Sequence, residues 1–112
     1  MKKKIFDNLF DLTGRTIVLT GSAGLLGSQY ALTLSEAGAD VILVDLDSQN
    51  NEKLKSKIKK SFNTNPESYK IDLTSKNEIL ELKDNILKNH DNVYGLINNA
   101  AFTAKASKIK NI

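Results

Sequence analysis

The stretch Thr20-Gly21-Ser22-Ala23-Gly24-Leu25-Leu26-Gly27 decides how this chain is read. Its three glycines stand three residues apart, between a β-branched apolar run and a stretch with helical spacing. Upstream, Thr16-Ile17-Val18-Leu19-Thr20 predicts a buried strand. Downstream, Leu26, Tyr30, Ala31 and Leu34 recur at helical intervals from Leu25 to Ala37. Gly38 then supplies the residue that most easily takes a left-handed cap. Each glycine of the loop has a physical task. Gly21 permits a tight turn off the strand, Gly24 lets backbone approach a pyrophosphate without a Cβ in the way, and Gly27 allows close helix packing. The N–H groups and positive dipole end of the helix start suit an anion there, which also assigns Ser22 and Leu26 to the pyrophosphate. Glycines at a strand-to-helix turn also have a purely steric reading, so the loop needs a second signal.

That signal is Asp45. Val41-Ile42-Leu43-Val44 predicts a second buried strand, and Asp45 ends it, 24 residues after Gly21. A ribose-binding carboxylate is expected about 20 residues beyond such a loop. A carboxylate there accepts hydrogen bonds from both ribose hydroxyls and repels a 2′-phosphate, so Asp45 predicts NAD in preference to NADP. Asp47 is a neighbouring candidate better suited to capping the next helix.

The same alternation continues along the chain. Ser48 is a second candidate cap for a helix reaching about Phe62, with Leu54, Ile58 and Phe62 as its apolar stripe. Asn63 to Pro66 reads as a turn. Ser68-Tyr69-Lys70-Ile71 predicts a third strand, ending at Asp72. Ser75 and Glu78 form a capping box, ahead of a helix carrying Ile79, Leu82, Ile86 and Leu87. Val93-Tyr94-Gly95-Leu96-Ile97 predicts a fourth strand, ending at Asn98-Asn99. The tail from Ala101 to Ile112 has weak helical character. Strands alternating with helices give a parallel sheet, and strands apolar throughout are covered on both faces. Right-handed crossovers then predict an α/β, Rossmann-like doubly wound sheet of about four strands, order 3-2-1-4.

Composition narrows the function classes. The 112 residues allow one domain, and 40% hydrophobic with 26% charged residues argue for a globular chain. No apolar run is long enough for a membrane span. The absence of cysteine excludes disulfides, thiolate metal sites and cysteine nucleophiles, and fits a cytoplasmic location. A single histidine, His90, leaves no multi-histidine metal centre; it suits a helix C-terminus better than catalysis. The net charge of +3 reflects Lys2, Lys3 and Lys4 and a second cluster from Lys53 to Lys60. Asp7 and Asp11 interrupt any signal-peptide core. The second cluster reads as a solvated helix face, since no aromatic residue interleaves it, so no nucleic-acid or membrane partner is expected. Phe6, Leu9 and Phe10 have helical spacing and are expected to cover an edge or end of the sheet. No Gly-Lys-Ser/Thr follows the glycines, which excludes a Walker loop.

Phe10-Asp11-Leu12-Thr13-Gly14-Arg15, the Thr20–Gly27 loop, Asp45, Ile71-Asp72-Leu73-Thr74 and Asn98-Asn99-Ala100-Ala101 together resemble the short-chain dehydrogenase/reductase family. The resemblance covers nearly the whole chain but only the N-terminal, cofactor-binding part of that family. It implies that Asp72 and Leu73 contact the adenine. It implies that Asn99 and Ala100 stabilise the central sheet and line the second ribose. Each also ends a predicted parallel strand, where open α/β sheets bind ligands. Ala101 stands where the family has glycine. The glycine spacing of two and two resembles the extended, sugar-nucleotide-modifying members, whereas the other segments resemble the shorter branch. The resemblance implies an oxidoreductase passing hydride between nicotinamide and a small alcohol or ketone, as a homo-oligomer when complete.

The family's reaction needs a tyrosine with a lysine four residues later, which lowers the phenol's pKa. Tyr30, Tyr69 and Tyr94 are followed at that spacing by Leu34, Leu73 and Asn98, so none fits and no catalytic residue is assigned. Residues 1–112 are therefore expected to be the N-terminal NAD-binding part of a single domain, truncated before its catalytic half. That predicts an open, apolar fourth-strand edge. Two other readings are a non-catalytic dinucleotide-binding module completed by another polypeptide, and a fragment of an extended-type sugar-nucleotide epimerase or dehydratase.

Overall fold

The run Thr16–Thr20 forms strand β1, buried along its whole length. It is central because β-branched and leucine side chains fill both of its faces, and both faces are covered. A computed structural model of the chain describes residues 9–101. In chain order β1 is followed by α1 (Leu25–Glu36), β2 (Asp40–Asp45), α2 (Ser48–Ser61), β3 (Glu67–Lys70), α3 (Lys76–Asn89) and β4 (Gly95–Asn98). The sheet is parallel with order β3-β2-β1-β4, as the alternating pattern predicts. Thr20 lies opposite both Val44 and Asn98, and Asp45 opposite Lys70. The C-terminal ends of all four strands therefore come out on one level.

Two cores flank the sheet. Ile17, Leu19, Val41 and Leu43 pack with Ala31 of α1 and Leu54 and Ile58 of α2. Val18, Ile42 and Val44 face the other way, onto Ile71 and onto Leu82 and Ile86 of α3. Residues alternate between the two faces along each strand, as the pleat requires. Two helices on one side and one on the other make the sheet doubly wound.

Several local expectations need correction. The buried side of α1 is Gly27, Ala31 and Ser35, while Leu26 is 60% exposed and Tyr30 is exposed as well. Small residues four apart let α1 approach the loop and sheet too closely for a leucine stripe. Asp47, not Ser48, caps α2, its carboxylate accepting from the Asn50 N–H at 3.1 Å. Ser75 caps α3 as expected, but the Glu78 carboxylate reaches back to the Asp72 N–H, at 3.2 Å. Ile79 and Leu87 remain exposed, leaving Leu82 and Ile86 to anchor α3. Ile71 lies just past β3, tied by its N–H to the Asp45 carbonyl. Val93 and Tyr94 precede β4, and the Arg15 guanidinium stacks on the Tyr94 ring at 4.6 Å. Leu9 and Phe10 are exposed, not packed as cover for the sheet. Phe6, the lysines at 2–4 and the tail beyond residue 101 lie outside the described residues. Gly38 takes φ 102°, as a left-handed residue after α1 should. Among the described residues no strand pairs with the outer edge of β4, where Leu96 is 58% exposed. Nor is any helix among them long and apolar enough to cross a membrane.

Candidate functional site

The level strand ends open into a cleft of about 540 Å³. From β1 and its turn come Gly21 and Gly24; from the end of β2, Val44, Asp45 and Leu46; after β3, Ile71, Asp72, Leu73 and Thr74; after β4, Asn99, Ala100 and Ala101. Seven of the ten residues singled out from the sequence thus share one cavity: Gly21, Gly24, Asp45, Asp72, Leu73, Asn99 and Ala100.

The turn after β1 is held almost atom by atom. Gly21, at φ 70°, donates its N–H to the Val44 carbonyl at 2.8 Å, and Ser22 donates to the same oxygen at 3.3 Å. The Ala23 N–H donates to Asp45 Oδ2 at 2.9 Å, and the Gly24 N–H to the Gly21 carbonyl at 3.2 Å. The first amide bonded back into α1 is that of Ser28, on the Gly24 carbonyl. Between them the N–H groups of Leu25, Leu26 and Gly27 have no acceptor among the described residues. Three unpaired amides at a helix start form an anion-binding surface.

The glycines now separate by cause. A Cβ on Gly27 would lie 2.0 Å from the Gly21 carbonyl oxygen, and one on Gly21 would lie 2.9 Å from the Ala100 Cα. Packing within the chain accounts for both. A Cβ on Gly24 would meet only the Gly21 oxygen, at 3.4 Å, an ordinary contact. Nothing among the described residues requires glycine at position 24, which lines the cleft.

Ser22, Leu26 and Gly27 do not line the cavity. Ser22 is fully buried and its hydroxyl donates to Asn51 Oδ1 at 2.5 Å. Its N–H and its hydroxyl are both engaged, so the expected contact of Ser22 with a pyrophosphate is not what the geometry offers. Leu26 directs its side chain to solvent and contributes a free N–H instead.

Asp45 joins the loop to the next strand end. Oδ2 accepts from Ala23 and Oδ1 from the Asp47 N–H, at 2.9 Å each. An ionised carboxylate has about four acceptor positions, so it keeps capacity for a further partner on each oxygen. Asp47 stands beside it, held below the ordinary carboxylate range by its backbone and side-chain bonds from Asn50 and by nearby Lys53. Among the described residues, no lysine or arginine lines the cleft. Asp72 is likewise held below its ordinary value, by the hydroxyl and N–H of Thr74, both on Oδ1 at 2.6 and 2.9 Å. Its other oxygen has no partner among the described residues. Leu46, Ile71 and Leu73 make the neighbouring wall apolar.

After β4, the Asn99 side chain donates to the Gly21 carbonyl at 3.2 Å. The Asn99 and Ala100 N–H groups both donate to Thr20 Oγ1, at 3.1 Å. Sequence reasoning missed Thr20, Leu46, Thr74 and Asn51. A polar residue in the apolar stripe of α2 was the available sign of Asn51. His90 lies at the opposite end of the sheet, against the Glu67 carboxylate and near Thr16 Oγ1, and takes no part in the cleft.

With the cleft defined, similarity to known proteins is informative. Residues 15–111 match the family model described as short chain dehydrogenase. Retinol dehydrogenase 13 of Mus musculus is 32% identical over 91 residues, 80% of this chain and 27% of that protein. Short-chain dehydrogenase/reductase family 16C member 6 of Bos taurus is 30% identical over 90 residues, again 80% of this chain and 28% of the relative. The chain thus spans under a third of these two relatives. Among solved structures, NAD+-bound xylitol dehydrogenase superposes with a TM-score of 0.76 at 26% identity, over 81% of this chain and 35% of that one. A metagenomic short-chain oxidoreductase in complex with NADP gives 0.77 at 25% identity, over 86% and 47%.

Proposed function

The chain belongs to the short chain dehydrogenase family, and from that premise we propose that it is the dinucleotide-binding portion of an NAD-dependent oxidoreductase acting on an alcohol or ketone. The observation that carries this reading is a cleft lined by Asp45 and by Gly24, a glycine that packing among the described residues does not require, with the unpaired first-turn amides of α1 following Gly24 directly in the chain. The amides of Leu25, Leu26 and Gly27 receive the diphosphate, with Gly24 leaving room for it. Asp45 accepts from the two hydroxyls of the adjacent ribose. Asp72, with its free oxygen, and the apolar Leu46 and Leu73 would hold the adenine. Asn99 and Ala100 form the floor beneath the second ribose.

The nicotinamide, when bound, supplies the hydride acceptor or donor. This chain's residues bind and orient it, and no proton-transfer step is assigned to them. Oxidation of an alcohol would also need a base to take the hydroxyl proton. The chain's tyrosines lack the lysine partner that would fit one of them for that role.

Preference for NAD rests on charge. A 2′-phosphate placed at Asp45 meets that carboxylate and the ionised Asp47, with no cation among the described residues lining the cleft to offset them. The test is NADH binding followed by fluorescence. Asp45→Ala is expected to weaken it by about tenfold or more, and Asp47→Ala by about twofold at most. Equal losses would remove Asp45 from the ribose. Tighter binding of NADPH than NADH would reverse the assigned cofactor.

A further inference from the structure

One fully buried polar side chain, Asn51, lies outside the cleft lining. The inward stripe of α2 is Asn51, Leu54 and Ile58, all buried. The second and third pack into the core as expected. Asn51 places an amide where an apolar residue would pack, and it is fully shielded from water. Buried amides persist where their hydrogen bonds are made. Asn51 Nδ2 donates to the Leu43 carbonyl at 3.0 Å, and Oδ1 accepts the Ser22 hydroxyl at 2.5 Å. The amide therefore ties three parts together: the β2 backbone, α2 and the glycine turn.

We propose that Asn51 is a positioning residue for the diphosphate, fixing through Ser22 the direction in which the first amides of α1 point. The turn is anchored from the β2–α2 segment at two successive residues. Ala23 is held by Asp45, and Ser22 by Asn51. Asp45 lines the cleft, and on the dinucleotide reading its oxygens would be shared with the ribose. Asn51 is fully buried and is not among the residues lining the cleft, so its anchor uses no group that a ligand there would contact. The free amides begin at Leu25, two residues after these anchors, and their orientation follows from the peptide planes held there. A small misplacement of such donors is enough to lose much of their effect.

This inference rests on the dinucleotide reading, and its test separates the two. Binding of NAD+ and of adenosine, which lacks the diphosphate, is measured by calorimetry for the wild-type protein, Asn51→Leu, Ser22→Ala and the double variant. Asn51→Leu is expected to weaken NAD+ about tenfold while leaving adenosine within about twofold. Ser22→Ala should do the same, and the double variant should lose no more than either single change, because both remove one link. If the wild type binds NAD+ and Asn51→Leu binds it equally well, this proposal alone falls. Equal weakening of both ligands, or additive losses, overturns it too, since Asn51 would then act only on general stability. A wild type that takes up no NAD+ overturns the dinucleotide reading and this proposal together. Should Asn51→Leu fail to fold, Ser22→Ala decides by the same comparison.

Discussion

At the scale of the residue, the loop's glycines carry different constraints although they look alike in sequence. Gly27→Ala puts a Cβ against the Gly21 carbonyl, so the helix or the turn must shift. Overpacking of that kind costs about 1–3 kcal/mol, and thermal unfolding should show the loss. Gly24→Ala meets no such obstacle, and its stability should change by under about 1 kcal/mol. Its NADH affinity should nevertheless fall by about tenfold, because the methyl group enters the space assigned to the diphosphate. A Gly24→Ala protein that binds normally would return that glycine to the role of a plain turn residue. Asp72 offers a pH test. Its folded pKa lies below the ordinary 3.8, so its Thr74 bonds stabilise the fold in full above 3.8. That contribution disappears as pH falls through the lower folded value. Asp72→Ala should therefore reduce the urea midpoint at neutral pH and leave it unchanged once the wild-type carboxylate is protonated.

At the scale of the element, the helices differ in what holds them. Leu43→Ala, in the core between β2 and α2, should cost about 2–5 kcal/mol by chemical denaturation. Leu26→Ala, on the outer side of α1, should fall within about 0.5 kcal/mol of wild type. A periodicity argument ranks those two leucines together, which shows where sequence reasoning ran out. β1 and β2 were legible because an apolar run between polar or glycine punctuation has one reading in a covered parallel sheet. The inner side of α1 was not, because Gly27, Ala31 and Ser35 carry almost no hydrophobic signal. The place of Asp45 at a strand end beside the loop was legible through its distance from the glycines. The buried direction of the Ser22 side chain was not legible, because it depends on its partner, here Asn51, which is 29 residues away. Tyr69 adds a prediction for β3. Burial and the Glu67 carboxylate raise its phenol above the ordinary 10.0. The neutral ring is the favoured form, so its stabilisation is complete below 10.0 and fades as pH rises through the folded value. Tyr69→Phe should lose that alkaline decline in unfolding midpoint.

At the scale of the whole molecule, the sheet order and the shared level of the strand ends create the cleft. No single element contains it. The same architecture leaves the outer side of β4 with Leu96 and nearby Tyr94 exposed. Unpaired apolar edges bind other chains. Residues 1–112 expressed alone should bind ANS and self-associate, and Leu96→Lys should reduce both effects in light scattering. A monodisperse chain without dye binding would contradict that expectation. The central claim concerns the other end of the sheet, and a crystal structure with NAD+ bound tests it most directly. The account predicts the diphosphate within hydrogen-bonding distance of the Leu25, Leu26 and Gly27 amides, the ribose diol on Asp45, and Ser22 still bonded to Asn51. A diphosphate lying away from those amides, or a ribose that does not touch Asp45, would contradict it.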